Sequence, residues 1–395
     1  MKPVDRSVPA VRLAPGKDQR LKDGHLWIRP NDIQEEVGKP ESGGVVDVLD
    51  FRGRFLARGH YNEASKLRVR LLTYEREPVD EALFRTRIAR ALEMRQRVLE
   101  DVGLCRVVYG ESDLLPGLVV DRLGDVAVMQ TMSLGMDRQK KVLAELLAEL
   151  LGVKAVYERN DGAVRRLEGM EESTGPLVGA VPEPFVVTWG GLSFPVDVVS
   201  GQKTGIFLDQ RENHLAVRRL AKGRRVLDAF CYGGGFGLQA AAGGAAHVVG
   251  IDASALAVEL ARKAAEANGL TGRTEWQEGN VFDVLRTIEP GSFDLVVLDP
   301  PAFARNRKAL PGAYRGYKEI NLRAMKLLPP GGILVTCSCS YHMTRDLFGQ
   351  MLVEAARDAR RSVRVLEERG APADHPVLLG HPETAYLKCV VAEVY

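Results

Sequence analysis

With 395 residues, 45% hydrophobic and 27% charged, the chain is too long for one ordinary core and has the composition of a globular protein of two or three domains. A net charge of +2 gives no argument for nucleic acid, and no apolar run approaches the roughly 20 residues that span a bilayer. The polar N-terminus, with Pro3, Asp5 and Pro9, lacks a signal-peptide core, and five cysteines without framework or zinc-ligand spacing fit thiols in a reducing cytoplasm.

Residues 10–75 read as short alternating strands broken by glycines, such as 45–49 and 55–59, which predicts a small β-rich module. Its first thirty residues carry Lys2, Arg6, Arg12, Lys17, Arg20, Lys22 and Arg29 against Asp5, Asp18 and Asp23, an excess of four positive charges. Residues 80–101 have helical spacing, with Leu83, Ile88, Leu92 and Val98 on one side. Arg85, Arg87, Arg90, Arg95 and Arg97 lie elsewhere on that helix and read as a solvated face, with phosphate contact as the alternative. Residues 105–190 look like a second, α+β unit: strands near 106–109, 118–121, 126–132, 155–159 and 185–188, a helix over 137–151, and a linker or hairpin at 169–184. From about 192 the pattern becomes strand–helix–strand, with strands at 225–230, 247–251, 274–278, 293–298 and 333–338 and a helix over 254–268. That alternation means a parallel sheet covered by helices, and 363–367 with 385–394 suit an antiparallel pair closing its edge. The expected fold class is α/β, divided as 1–77, 78–190 and 191–395.

After the strand at 225–227 comes Asp228-Ala229-Phe230-Cys231-Tyr232-Gly233-Gly234-Gly235-Phe236-Gly237. Glycines at a strand-to-helix turn let the backbone approach a ligand. Asp252 ends the next strand, 24 residues after Asp228, where an acid can accept hydrogen bonds from both ribose hydroxyls. The glycines do not follow G-x-G-x-x-G, and Asp228 would repel a pyrophosphate. It would welcome the ammonium and sulfonium of S-adenosylmethionine. The third strand ends in Glu278-Gly279-Asn280-Val281-Phe282, where Asn280 can bond an adenine amino group and Phe282 can stack. Cys231 lies beside the loop, as a cofactor neighbour or a small buried residue.

Two further strand ends bring chemistry to the same sheet edge. One carries Asp299-Pro300-Pro301-Ala302-Phe303, a carboxylate beside two fixed φ angles and a ring suited to stacking on a base. The other carries Thr336-Cys337-Ser338-Cys339-Ser340. D-P-P-F by itself resembles the motif of amino-group methyltransferases. A thiol alters the chemistry: thiolate addition to cytosine C6 makes an enamine whose C5 can attack a methyl group. Two cysteines two apart in a strand point the same way, so the pair could instead be core. The loop that follows is basic, with Arg305, Arg307, Lys308, Arg315, Lys318, Arg323 and Lys326 interleaved with Tyr314 and Tyr317, either an RNA phosphate track or a solvated helix.

These stretches, with Gly110–Asp121, Gly201–Arg211, Ala373-Asp374-His375-Pro376 and Tyr386-Leu387-Lys388, resemble the bacterial 23S rRNA cytosine-C5 methyltransferases of the large ribosomal subunit. The likeness covers nearly the whole chain. It implies an N-terminal PUA fold that binds RNA, a central linking domain and a C-terminal class I methyltransferase domain with a seven-stranded, mostly parallel sheet. By the same likeness the cofactor is S-adenosylmethionine, the partner is 23S rRNA with no membrane, and a homodimer fits. Cys339 is the nucleophile of the family's S-C-S motif, with Asp299 beside it. Asp209, Gln210 and Arg211 close over the methionine end, with Asp228, Cys231, Gly233, Gly235, Asp252, Asn280, Phe282, Asp299 and Pro300 completing the cofactor site. Phe303, Arg305, Arg307, Lys308 and Tyr317 face RNA. The chain departs from the pattern at Ala302, where related two-cysteine enzymes have a second thiol, and at Asn280, where an acid is common. The alternatives are amino-group methylation through Asp299–Phe303, with Cys339 kept for packing, and a non-catalytic RNA-binding assembly factor.

Overall fold

A computed structural model describes residues 8–162, 164–183, 185–199, 201, 204–304 and 306–395. The chain divides into two compact units: Met1–Phe185 with Asp197–Gly205 and Ala373–Thr384, and Val186–Val196 with Ile206–Pro372 and Ala385–Tyr395.

The first unit holds two sheets. A six-stranded sheet runs in the order Trp27–Ile28, Val69–Thr73, Phe55–Tyr61, Val45–Leu49, Ala10–Leu13, Ile33–Val37, over a core of Val11, Leu13, Ile28, Val46, Val48 and Leu71. Its N-terminal positive charge is largely spent inside the unit: Arg12 pairs with Glu35 at 2.8 Å, Lys17 with Asp32 at 3.6 Å and Lys22 with Asp18 at 2.6 Å. Lys2, Asp5 and Arg6 lie outside the described residues.

The second sheet is five-stranded, in the order Ser173–Val178, Ala155–Asn160, Val126–Thr131, Leu118–Leu123, Leu104–Tyr109. The first of these strands lies in the segment expected to be a linker or hairpin and pairs antiparallel with Ala155–Asn160. The helix Glu81–Val98 starts where Asp80 accepts the N–H groups of Ala82 and Leu83, at 3.1 and 3.2 Å. Its arginines divide. Arg95 is fully buried and bidentate to Asp113, with distances of 2.5 and 2.8 Å, so it belongs to the core and not to a solvated face. Burying a guanidinium is tolerable because two parallel charge-assisted bonds offset its desolvation. Arg90 and Arg97 remain exposed.

The second unit is the α/β layer expected from residue 192 onward. Its sheet has seven strands: β1 (Arg225–Ala229), β2 (His247–Asp252), β3 (Thr274–Glu278), β4 (Leu295–Leu298), β5 (Gly332–Ser338), β6 (Val363–Arg369) and β7 (Lys388–Val394). They lie in the order β3-β2-β1-β4-β5-β7-β6. The first five are parallel, β7 pairs antiparallel with both β5 and β6, and the edge closes as predicted. Buried apolar clusters cover both faces of the sheet. Strand order reverses between β1 and β4, and ligands bind outside the carboxyl ends of strands at such a switch point. Asp228 and Asp299 stand there. No helix among the described residues is long and apolar enough to cross a membrane.

Candidate active site

The loop after β1 leaves regular backbone at once. Phe230 and Tyr232, neither a glycine, have φ of 66° and 46°, and Gly234 follows at 79°. A left-handed non-glycine residue costs about 1–2 kcal/mol, so two of them mark a turn that its surroundings enforce. The glycines serve different ends. A Cβ at Gly234 would come within 2.7 Å of Trp276, and one at Gly235 within 2.4 Å of the His214 ring. Gly233 faces open space.

Asp228 is fully buried beneath this loop. Its Oδ2 accepts the Gly237 N–H at 2.8 Å, while its Oδ1 has no hydrogen-bond partner in the structure. Burial pushes the carboxyl up to about 7; the Gly237 bond opposes this, and Asp299 and Asp252 add to it. A buried carboxylate with an unused oxygen suits a cationic ligand group, which S-adenosylmethionine carries. Asp252 accepts the Tyr232 and Ser254 N–H groups, one on each oxygen at 2.9 Å, which fixes the carboxylate and leaves a lone pair on each oxygen for a ribose hydroxyl.

Cys231 is buried, its N–H bonds the Ile251 carbonyl and its carbonyl accepts the Gly234 N–H. Burial also pushes its thiol well up. Its side chain packs toward the sheet, within 3.2 Å of where a Gly250 Cβ would sit, as the reading of a small buried residue expects. Asn280 caps the helix Val281–Thr287 by accepting the Phe282 N–H at 3.0 Å. The cap uses one lone pair of the amide oxygen and leaves the other, with the NH2, for an adenine edge.

Asp209, Gln210 and Arg211 are buried at the start of the helix Arg211–Leu220. Asp209 accepts the Tyr386 hydroxyl at 2.5 Å. Gln210 donates to Asp299 Oδ1 at 2.8 Å and accepts from Asn213 at 2.7 Å, and Asn213 in turn accepts from Arg369 at 2.8 Å. A relay of side chains from three elements therefore fixes the Asp299 carboxylate just past β4. Pro300 behind it is buried.

The two cysteines part company at the end of β5. Cys337 is inside the strand, opposite Cys389 of β7, fully buried, with its thiol pushed well up by burial. Cys339 lies one residue beyond the strand, half-buried, with Sγ 4.0 Å from the Pro300 carbonyl oxygen. The strand ends because Ser338, Ser340 and Tyr317 form a buried knot. The Tyr317 hydroxyl is 3.0 Å from both serine hydroxyls, and Ser340 Oγ accepts the Ala304 N–H at 3.1 Å.

That knot corrects the expectation for Tyr317: it is 0% exposed and cannot stack on RNA. It supports the floor of the site and packs on Phe303, with ring centroids 4.7 Å apart. Phe303 also lies 5.8 Å from Phe282, so the ring expected to meet a base adjoins the ring expected to meet adenine. The basic stretch is thinner than it looked. Lys318 pairs with Asp358 at 2.8 Å and Arg323 with Glu319 at 3.0 Å. Arg307, Lys308 and Arg315 are exposed, and Arg305 lies outside the described residues.

Lys388 is the side chain whose role the sequence did not disclose. It opens β7 opposite Ser338, is 6% exposed, and donates to the Ser340 and Tyr386 carbonyls at 2.6 Å each. Burial pulls its ammonium down to about 8, opposed by Cys339. Its signals in the sequence were the Tyr386-Leu387-Lys388 stretch of the resemblance and a lysine at the start of a mostly apolar strand.

In the first unit His25, His381 and Glu383 present ligand-type atoms within 4.8 Å of one another. Both rings accept backbone N–H groups at Nδ1, from Trp27 and Leu26. The Arg20 guanidinium lies 2.5 Å from His25 Nε2 and 3.9 Å from Glu383, so a positive charge already stands beside this carboxylate.

Comparison with known proteins agrees with this geometry. Residues 166–390 match the model of the S-adenosylmethionine-dependent methyltransferases, and residues 11–74 match a PUA-like domain. The ribosomal RNA large subunit methyltransferase I of Klebsiella pneumoniae is 41% identical over 392 residues, covering 98% of both chains. That of Shewanella denitrificans is 42% identical over 393 residues, covering 98% of this chain and 99% of its own. Among solved structures, a Streptococcus mutans protein assigned as an S-adenosylmethionine-dependent methyltransferase overlays with a TM-score of 0.83 at 20% identity, covering 97% of this chain and 99% of its own, and shares the fold. The strained loop, the buried Asp228 and the strand order thus have one explanation: this chain belongs to the S-adenosylmethionine-dependent methyltransferases with a PUA-like N-terminal domain, the family whose curated members include ribosomal RNA large subunit methyltransferase I.

Proposed function

We propose that the protein methylates C5 of a cytosine in 23S rRNA through a covalent bond between Cys339 and C6 of the base. The observation that carries this reading is the position of Cys339: just past the end of β5, half-buried, and beside the carbonyl of Pro300, the residue that follows Asp299. Methylation of an amino group needs no thiol there. S-adenosylmethionine, when bound, supplies an electrophilic methyl group. Asp228 meets its cationic end, Asp252 its ribose, and Asp209, Gln210 and Arg211 shape the methionine side.

The Cys339 thiolate adds to C6, and the C5–C6 double bond becomes an enamine. C5 then takes the methyl group. Asp299, oriented by Gln210, is the carboxylate at hand for the C5 proton. Loss of that proton expels the thiolate and restores the aromatic ring, so every bond made to sulfur is broken again. Phe303 packs against the base, while Arg305, Arg307 and Lys308 meet the backbone phosphates.

The domain bounds 1–77, 78–190 and 191–395 belong to this proposal, supported by the two separate sheets of the first unit. A cytoplasmic location follows from the rRNA substrate. A homodimer is the assembly proposed, and sedimentation velocity reads it directly.

The test is Cys339→Ala, assayed with labelled cofactor on rRNA from a strain lacking the protein and with RNA carrying 5-fluorocytidine. Expected are a loss of turnover of about a thousandfold or more, loss of the covalent RNA adduct, and 5-methylcytosine as the wild-type product. Retained turnover would replace this reading with amino-group chemistry at Asp299–Phe303.

A further inference from the structure

We propose that Lys388 is a positioning residue that holds Cys339 as its thiolate. The inference rests on Cys339 being the nucleophile, as read above. Lys388 is more than nine-tenths buried, yet its partners among the described residues are carbonyl oxygens and not a carboxylate. A buried ammonium demands an anion or gives up its proton. Two of its three donor positions are taken by carbonyl oxygens at 2.6 Å, those of Ser340 and Tyr386. One of these carbonyls belongs to the residue next to Cys339. The anchor therefore pins the nitrogen beside the nucleophile and leaves one vertex of its tetrahedron for the sulfur.

The proton balance is simple. The Cys339 S–H bond breaks, the proton joins the lone pair of neutral Lys388, and a thiolate–ammonium pair remains. Nothing else is consumed. After elimination from the base the thiolate returns to the same partner, so the pair persists through the cycle. Two histidines lie nearby in the same unit: His214 is under the cofactor loop, against the would-be Cβ of Gly235, with burial pulling it down to about 3, and His342, three residues past Cys339, meets the Tyr341 ring edge-on at 5.3 Å.

Other charged or titratable groups face the same spot. Asp299, past β4, opposes a second negative charge. The Tyr317 hydroxyl, from the helix Leu310–Leu327, is pushed up mainly by burial and also by Cys339. Cys337 lies behind it on β5 with a thiol held neutral by burial. Arg345, at the start of the helix Arg345–Ala359, adds positive charge near Lys388. Lys388 is the buried cation among them and the one anchored to the backbone of the S-C-S segment.

The experiment is the pH dependence of Cys339 carbamidomethylation by iodoacetamide, read by peptide mass spectrometry on the full chain. In the wild type the midpoint should fall below the roughly 8.5 of an ordinary cysteine. Lys388→Gln keeps two N–H donors for the two carbonyls but removes the charge. It should raise the midpoint by about one pH unit or more and lower kcat at neutral pH, with recovery in alkali and unchanged affinity for S-adenosylmethionine. Lys388→Arg should restore much of the lowered midpoint. A wild-type midpoint at or above that of an ordinary thiol overturns the proposal, even where the variants fail to fold. So does an unmoved midpoint in a folded Lys388→Gln protein. Failure of the nucleophile reading looks different: Cys339→Ala would then keep its turnover, whatever the titration shows.

Discussion

On one side of the switch point the site is built from neighbours in sequence. Asp228, the strained loop and Asp252 all lie within 25 residues, on two adjacent strands and the turn between them. On the other side Gln210, Asp299, Tyr317, Cys339 and Lys388 span 179 positions and come from five different segments. The cofactor side needs only a turn that presents backbone and one buried acid. The reacting side needs a carboxylate, a thiol and a cation at set distances, and no single turn can supply three such side chains. The first side therefore stands or falls with local backbone, and the second with packing across β4, β5 and β7.

The largest effect that would sharpen this contrast is Asp228→Asn. The amide still accepts the Gly237 N–H, so the turn should survive, while S-adenosylmethionine affinity drops about a hundredfold through loss of a buried charge partner. Calorimetry reads it, and affinity within threefold of wild type would break the cofactor side of the comparison. The same residue has a pH signature. Its carboxyl in the native state lies near 7, above the ordinary value of 3.8, so the native state binds the extra proton between those limits. Stability contributed by this group is therefore lost as pH rises through that window, on the order of 4 kcal/mol by pH 8, and Asp228→Asn should abolish that slope in thermal melts. A cationic ligand favours the carboxylate, so cofactor binding at neutral pH should release a proton, detectable as a buffer-dependent binding enthalpy.

Next in size, Cys337→Ser separates the two thiols. A hydroxyl in that strand interior should cost about 1–3 kcal/mol in denaturant melts and leave turnover per folded molecule within about threefold. A thousandfold loss of rate would mean that Cys337, and not Cys339, carries the chemistry. Tyr317→Phe removes the hydroxyl that joins Ser338 to Ser340. It should cost about 1–2 kcal/mol of stability, with a fall in kcat larger than the change in affinity for RNA. The reverse split would return Tyr317 to an RNA contact. The smallest effect is expected of Arg307→Ala and Lys308→Ala, each lowering RNA affinity a few-fold and the salt slope by about one. Lys318→Ala serves as the control, since Glu354 and Asp358 already neutralise it.

Much of this was legible before any coordinates. Strand–helix alternation announced the parallel sheet, because a two-residue period beside a helical period leaves few packings. The acid–glycine loop and the acid one strand later marked the cofactor side, because a turn's chemistry is local. What misled the reading was side-chain direction. Arg95 looked like surface charge and is buried against Asp113, and Tyr317 looked like a stacking ring and lies under the floor. Composition cannot report which way a side chain points once a helix or strand is rotated into its neighbours.

The amino-acid order alone determined which groups exist at each strand end: a carboxylate after β4, a thiol after β5, a lysine opening β7. Only the tertiary structure decided that the sheet order places β4, β5 and β7 side by side, and that the last of them runs antiparallel. That reversal puts the start of β7 against the end of β5, which is why a lysine 49 residues from Cys339 is held by the carbonyl of the very next residue.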